Sequence, residues 1–167
     1  MSAIKGYIRK QVLISFLANL VINGTLAYWI LNDLQLLTAT GEHGYVRDIL
    51  LTGLLLSWLF SWINLVIHYR KRQRGELPVV QPGAGVSWLP SRLWLSAIVM
   101  AVLSASIAGG AMLALLSVLF PSGVDPLQYA ILKGVWTGVL AGVLVVVCIA
   151  VATRPEDGGS IAAQEVV

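Results

Sequence analysis

The sequence predicts an all-α, polytopic integral membrane protein, folded as a bundle of four transmembrane helices. Of its 167 residues, 57% are hydrophobic and only 11% are charged, whereas a soluble domain carries about 25% charged residues. Four apolar stretches each approach the roughly 20 residues that cross a hydrocarbon core of about 30 Å. Lysine and arginine cluster beside alternate ends of these stretches, which predicts that both chain ends lie in the cytoplasm.

The predicted spans cover residues 11–32, 48–69, 93–118 and 131–153, and residues 1–153 are expected to form one transmembrane domain. The first span follows basic residues, as the apolar core of a signal peptide does. Its apolar run exceeds the roughly 7–15 residues of a cleaved signal, so we expect a retained helix. The third helix is expected to end by Pro121, because proline cannot donate the backbone hydrogen bond of a helix interior.

The orientation follows from the basic residues. Nine of the eleven lie in three segments that should be cytoplasmic: Lys5, Arg9, Lys10, Arg70, Lys71, Arg72, Arg74, Arg92 and Arg154. The other two, Arg47 and Lys133, lie in or beside the opposite loops. Two helical hairpins, residues 1–74 and 85–153, would then both begin in the cytoplasm, so an internal repeat would be parallel rather than inverted. The loops are compact, and the loops on the side opposite the cytoplasm contain no glycosylation site. Both features favour a bacterial inner membrane.

The segments outside the spans are short. The basic loop 70–92 contains prolines and glycines that disfavour helix and strand, so it is interpreted as an irregular hinge. Its bases could bind anionic lipid headgroups at about 1 kcal/mol each, although topology alone accounts for them. They are Arg70, Lys71, Arg72 and Arg74. Residues 154–167 are small, polar and acidic, which predicts a disordered cytoplasmic tail.

Polar residues recur on one face of each of the first two spans. On the first they are Ser15, Asn19 and Asn23, and on the second Ser57, Ser61, Asn64 and His68, in line with Gly53. Counting 1.5 Å per residue from the cytoplasmic ends places Asn19 and Asn64 at similar depth. Asn23 should then approach Ser57 and Ser61, and His68 should approach Gln11 and Ser15.

Two interpretations of these stripes stay open. They form an interhelical hydrogen-bond seam, worth on average about 0.6 kcal/mol per bond, or they line a path for a small molecule or an ion. The spans contain no acidic residue away from their ends, which argues against a proton relay.

Small residues predict close helix packing. The fourth span contains Gly134, Gly138 and Gly142, and the third span has Ala97, Ala101, Ala105 and Gly109 at the same spacing. A second ridge on the third span consists of Ser106, Gly110 and Ala114. Glycine at this spacing lets two backbones approach closely, so the simplest expectation is that the third and fourth spans pack through these faces. A homo-oligomer contact through one of them is the competing interpretation.

Few residues suggest chemistry. Lys133 is expected to reach the interface or to pair with Asp125, with a substrate-binding role as the alternative. His68 is expected to be interfacial, and Cys148 to be a buried apolar side chain.

The chain carries no phosphate-binding loop, catalytic motif or metal-ligand spacing. We therefore expect no enzymatic activity, no metal and no cofactor. The bases lie beside apolar spans, so the expected partner is the lipid bilayer rather than a nucleic acid.

Three functional hypotheses follow. The first is a small accessory, interaction or oligomeric membrane component that works through helix packing with itself or with a membrane protein partner. The second is a transporter or channel subunit whose path is lined by the asparagine and serine stripes. The third is a lipid-binding membrane protein that uses the basic loop.

Overall fold

The computed structural model describes residues 2–41, 44–81 and 84–155. Helix accounts for 78% of these residues, and they contain no β-strand, which confirms the all-α prediction. Within these residues, four helices are long and apolar enough to cross a membrane. Most of the predicted disordered tail, residues 156–167, lies outside the described residues.

The helices extend beyond the predicted spans. They are α1 (Ser2–Leu31), α2 (Tyr45–Gln73), α3 (Ala84–Ser87), α4 (Leu93–Leu103), a π-helical segment (Ser104–Gly109), α5 (Gly110–Leu119) and α6 (Pro126–Ala152). The segments from Leu93 to Leu119 run on as one helix, here called the third span. With 30 residues, α1 is about 45 Å long and exceeds the thickness of a hydrocarbon core. The short α3 lies in the loop predicted to be irregular.

Local sequence accounts for the helix ends. Asp125 caps α6, since its carboxylate accepts hydrogen bonds from the amides of Leu127 (2.9 Å) and Gln128 (3.3 Å). Pro126 is the first helical residue, where its missing N–H costs nothing. The third span ends at Leu119, two residues before Pro121, as the proline predicted. Gly75 follows α2 with a positive φ of 75°, a conformation that glycine adopts readily at a helix end.

Helix α6 lies at the centre of the bundle. In its most apolar stretch 61% of the residues are buried, against 17% for α1. Helix α1 packs along one side of α6, whereas α2 packs against both α6 and the third span. The main packing partner of α1 is therefore the last helix in the chain and not its neighbour α2.

Two apolar clusters fill the ends of the bundle. At the end where α2 and α6 begin, here called the Asp48 end, the cluster consists of Leu31, Leu37, Tyr45, Ile49, Met112, Leu116, Val124 and Tyr129. There an antiparallel bridge between Leu37 and Val124 joins two loops. At the opposite end, called the Arg154 end, the cluster consists of Leu65, Leu89, Ala97, Met100, Leu140, Leu144, Cys148 and Val151.

Candidate functional site

A partly buried ion pair joins α2 to α6 at the Asp48 end. The Lys133 ammonium lies 2.7 Å and 2.6 Å from the two carboxylate oxygens of Asp48. The Tyr129 hydroxyl donates to the same carboxylate, and the Thr52 hydroxyl donates to it at 3.3 Å. Lys133 is only 8% exposed. The expected pairing of Lys133 with Asp125 is wrong, because Asp48 is its partner while Asp125 caps α6.

Sequence reasoning missed Asp48, although a signal for it was present. Asp48 lies in the first turn of α2, and Lys133 lies seven residues after the start of α6. Both helices begin at the same end of the bundle, so the two charges differ in depth by only about one turn. Opposite charges at similar depth on neighbouring helices stabilise one another where water is scarce.

A cleft of about 280 Å³ lies beside the ion pair. It is lined by Ala27, Ile30, Leu31, Leu37, Gly44, Arg47, Asp48, Leu51 and Lys133. Residues of α1 and α2 form its two walls, and Lys133 comes from α6. Arg47 is exposed, and no salt bridge of the described residues involves it. With two cations and one anion, the cleft carries a formal charge of +1.

The polar stripes of α1 and α2 do not bond to each other. The Asn19 amide donates to the Ser15 carbonyl at 2.9 Å, and the Asn64 amide donates to the Phe60 carbonyl at 2.9 Å, each within its own helix. The Asn23 amide reaches Asn19, one turn earlier on the same helix. The expected pairing of Asn19 and Asn23 with residues of α2 is absent from the described hydrogen bonds.

The stripe on α1 instead contacts α6. The Thr137 hydroxyl lies 3.2 Å from the Asn19 carbonyl oxygen, and Ser15 and Asn19 are both buried. The predicted face of α1 therefore does point into the protein, but its neighbour is the fourth span.

On α2, three buried polar atoms have no partner among the described residues: Ser57 Oγ, Ser61 Oγ and His68 Nε2. The other ring nitrogen of His68 lies 2.6 Å from the Asn64 carbonyl oxygen. The ring of His68 meets Tyr7 edge-on, with centroids 5.9 Å apart. His68 is 1% exposed, so its ring lies inside the bundle near the Arg154 end, and its interfacial depth stays a prediction.

The four predicted lipid-binding bases of the 70–92 loop differ in their surroundings: two have hydrogen bonds to other segments, and two are exposed. Lys71 donates to the Tyr7 hydroxyl at 3.3 Å and lies over its ring, and Arg72 donates to the Arg154 carbonyl. Arg70 and Arg74 are exposed. Lys71 and Arg72 thus also help to hold the Arg154 end together, which leaves Arg70 and Arg74 as the more accessible bases for a lipid headgroup.

The glycine face of α6 packs against α1. A Cβ placed on Gly134 would lie 2.7 Å from the Leu20 carbonyl oxygen, and one on Gly138 would lie 2.9 Å from the Phe16 carbonyl oxygen. The nearest atom to a Cβ on Gly142 would be a side-chain carbon of Val12. The expectation that this face contacts the third span is wrong. A Trp136 hydrogen bond to the Ala108 carbonyl (3.1 Å) does connect α6 to the third span.

The first small-residue face of the third span packs against α2. A Cβ on Gly53 would lie 3.3 Å from Ala105, and one on Gly109 would meet Ile49 and Leu50. Ala97 and Ala101 are buried as well. The second ridge is different, because Ser106, Gly110 and Ala114 are all exposed. Among the residues that the structure describes, none outside its own helix turn would lie within 4 Å of a Cβ on Gly110.

The described residues contain no group of three or more His, Cys, Asp and Glu side chains that could hold a metal ion. No family model, no curated protein and no solved structure matches the chain. Its class therefore rests on its own four apolar helices, which are those of a multi-pass membrane protein.

Proposed function

We propose that this is a non-enzymatic membrane protein that works through helix packing, by pairing with a second copy of itself. The contact surface is the ridge of Ser106, Gly110 and Ala114 on the third span. The observation that carries the proposal is Gly110, a glycine in the middle of a span where a Cβ would meet no atom of another described segment within 4 Å.

Neither local conformation nor internal packing accounts for this glycine. Gly110 has φ −58° and ψ −43°, ordinary helical values that any residue adopts. A glycine in a helix interior costs about 1 kcal/mol relative to alanine. Small residues at four-residue spacing let a second helix approach closely in lipid, where such packing drives association. A helix of another chain is the partner that would make use of the ridge.

The contact between α1 and α6 shows that glycines in this chain allow two of its helices to approach closely. Gly24 and Gly134 face each other there, with a Cβ on Gly24 placed 3.5 Å from the Gly134 Cα. Two helices of the same chain thus approach through small residues at the spacing that the ridge repeats. The glycines of α6 are occupied by this contact, which leaves the ridge of the third span as the surface for a second chain.

Replacing Gly110 by isoleucine tests the proposal. The bulky side chain should block the approach of a second helix and abolish the dimer seen by crosslinking in membranes and by native mass spectrometry in detergent. The matched control is Ala18→Ile, which makes a similar small-to-large change at an exposed position of α1. A purely monomeric wild-type protein would contradict the proposal, as would equal dimer loss in both variants.

We further propose that both chain ends are cytoplasmic and that the membrane is a bacterial inner membrane. The charge bias supports this orientation, since the Asp48 end has far fewer bases beside its helices than the Arg154 end. A cysteine introduced at Arg154, in a background with Cys148→Ser, should react with an impermeant maleimide only after spheroplasts are opened. Reaction in intact spheroplasts would reverse the orientation.

A further inference from the structure

The cleft at the Asp48 end combines a partly buried cluster of charges with an apolar wall. We propose that it binds the headgroup of an anionic phospholipid, with the acyl chains along the α1 and α2 surfaces beside it. The proposal is separate from the dimer contact, because the cleft is formed by α1, α2 and α6 and the ridge lies on the third span.

Charge is the first argument. Asp48 is engaged by Lys133, Tyr129 and Thr52, so its carboxylate has little capacity left for a further donor. Arg47, on the same turn of α2, adds a second positive charge to the cleft lining. The residual charge of the cleft is therefore positive, and a guanidinium is well suited to bind a phosphate through two hydrogen bonds.

The hydrogen-bonding capacity of Lys133 is the second argument. An ammonium group has three donors. The described structure gives it two acceptor atoms, both of them oxygens of Asp48. A buried donor without an acceptor is costly, and Lys133 lines the cleft directly. A phosphate oxygen in the cleft would supply the third acceptor.

The apolar wall favours a lipid over a soluble anion. Ile30 of α1 and Leu51 of α2 line the cleft and are 65% and 45% exposed, so the cleft borders the surface that faces lipid. Its volume of about 280 Å³ is at the lower edge of the roughly 300–1,000 Å³ of sites that enclose a drug-sized ligand. It suits a headgroup whose chains remain outside.

Lipid binding by the purified full-length chain tests the proposal. Native mass spectrometry would compare phosphatidylglycerol with phosphatidylcholine of the same acyl chains. The wild type should retain phosphatidylglycerol preferentially. Arg47→Gln should weaken that binding about tenfold, the effect of losing one charge-assisted contact. Arg47→Lys should keep most of it. Arg9→Gln, which removes the same charge at an exposed position of the Arg154 end, should change it less than about twofold.

Three results would overturn the proposal. One is equal retention of the two lipids by the wild type. Another is equal loss of phosphatidylglycerol in Arg47→Gln and Arg9→Gln, which would mean a general charge effect. The third is displacement of the lipid by an equal concentration of inorganic phosphate, which would assign the cleft to a soluble anion. Unchanged helical circular dichroism in each variant separates these results from misfolding.

Discussion

The glycine face of α6 and the exposed ridge of the third span have the same spacing but opposite surroundings. On α6, a Cβ at Gly134 would lie 2.7 Å from a carbonyl oxygen of α1. On the third span, a Cβ at Gly110 would have no other helix or loop of the described chain within 4 Å. Small residues four apart therefore predict that a helix face can be closely approached. They do not say which helix approaches it, or whether that helix belongs to the same chain.

The difference follows from where the two helices lie. Helix α6 is central, and both α1 and α2 pack against it. The third span packs mainly against α2, through its other small-residue face, so the ridge of Ser106, Gly110 and Ala114 is left at the surface.

The largest expected effect comes from filling the occupied face. Gly134→Ile would force a branched side chain against the Leu20 carbonyl and the Gly24 backbone, which cannot move without separating α1 from α6. Overpacking of this kind should lower the free energy of unfolding by about 3 kcal/mol. Reversible unfolding in mixed micelles of dodecyl maltoside and sodium dodecyl sulfate measures this change. A loss below about 1 kcal/mol would mean that the contact between α1 and α6 is looser than the structure shows.

The exposed ridge supplies the control for that experiment. Gly110→Ala adds one methyl group where no other segment of the described residues lies within 4 Å, so the monomer should be unaffected or stabilised by up to about 1 kcal/mol. Gly134→Ala, the same substitution on the occupied face, should destabilise it. Destabilisation of the monomer by both alanine substitutions would remove the distinction between the two faces.

A smaller loss in the free energy of unfolding is expected from breaking the ion pair between Asp48 and Lys133. Asp48→Ala leaves the Lys133 ammonium buried without its partner. Breaking a fully buried pair costs about 3–5 kcal/mol. The Asp48 side chain is 38% exposed, so we expect about 2 kcal/mol in the same unfolding assay. Asp33→Ala, which removes an exposed carboxylate near the same end, should have little effect.

A double variant separates the ion pair from other roles of Asp48. Removing both charges with Asp48→Ala and Lys133→Met should recover most of the stability, because no unpaired charge is then buried. If the double variant is as unstable as Asp48→Ala alone, the loss comes from the bonds of Tyr129 and Thr52 rather than from the stranded ammonium.

Much of the fold could be predicted from local sequence. Apolar length gave four helices, and Pro121 and Pro126 bracket the turn between the last two. The structure shifts the ends of α1 and α2 outward, because polar and basic residues such as Lys5 and Arg70 continue the helices past the apolar core. Apolar composition identifies only the part of a helix that can lie in the hydrocarbon core. The helical hydrogen bonding of the backbone can continue into the polar residues on either side of that part.

The candidate site was less predictable. The polar stripe of α1 was located correctly as a buried face, but its amides bond to carbonyls one turn earlier on the same helix. A partner within the helix is always within reach, whatever the neighbours are, so such a stripe does not identify the helix across from it. Lys133 was identified as unusual, but its partner Asp48 is 85 residues away in sequence, and only the position of α2 beside α6 brings the two charges together.

By itself, the sequence determined the class of this protein, the number of its long helices and the faces that could be packed closely. The tertiary structure alone decided that α1 pairs with α6, that Lys133 pairs with Asp48, and that one small-residue ridge is left open. The physical reason is that lipid tails are as apolar as the helix surfaces. The hydrophobic effect therefore does not favour one pairing of helices over another. Close packing at a few glycines and a few polar contacts determine which helices pair. Both kinds of contact can be identified only when the positions of the helices are known.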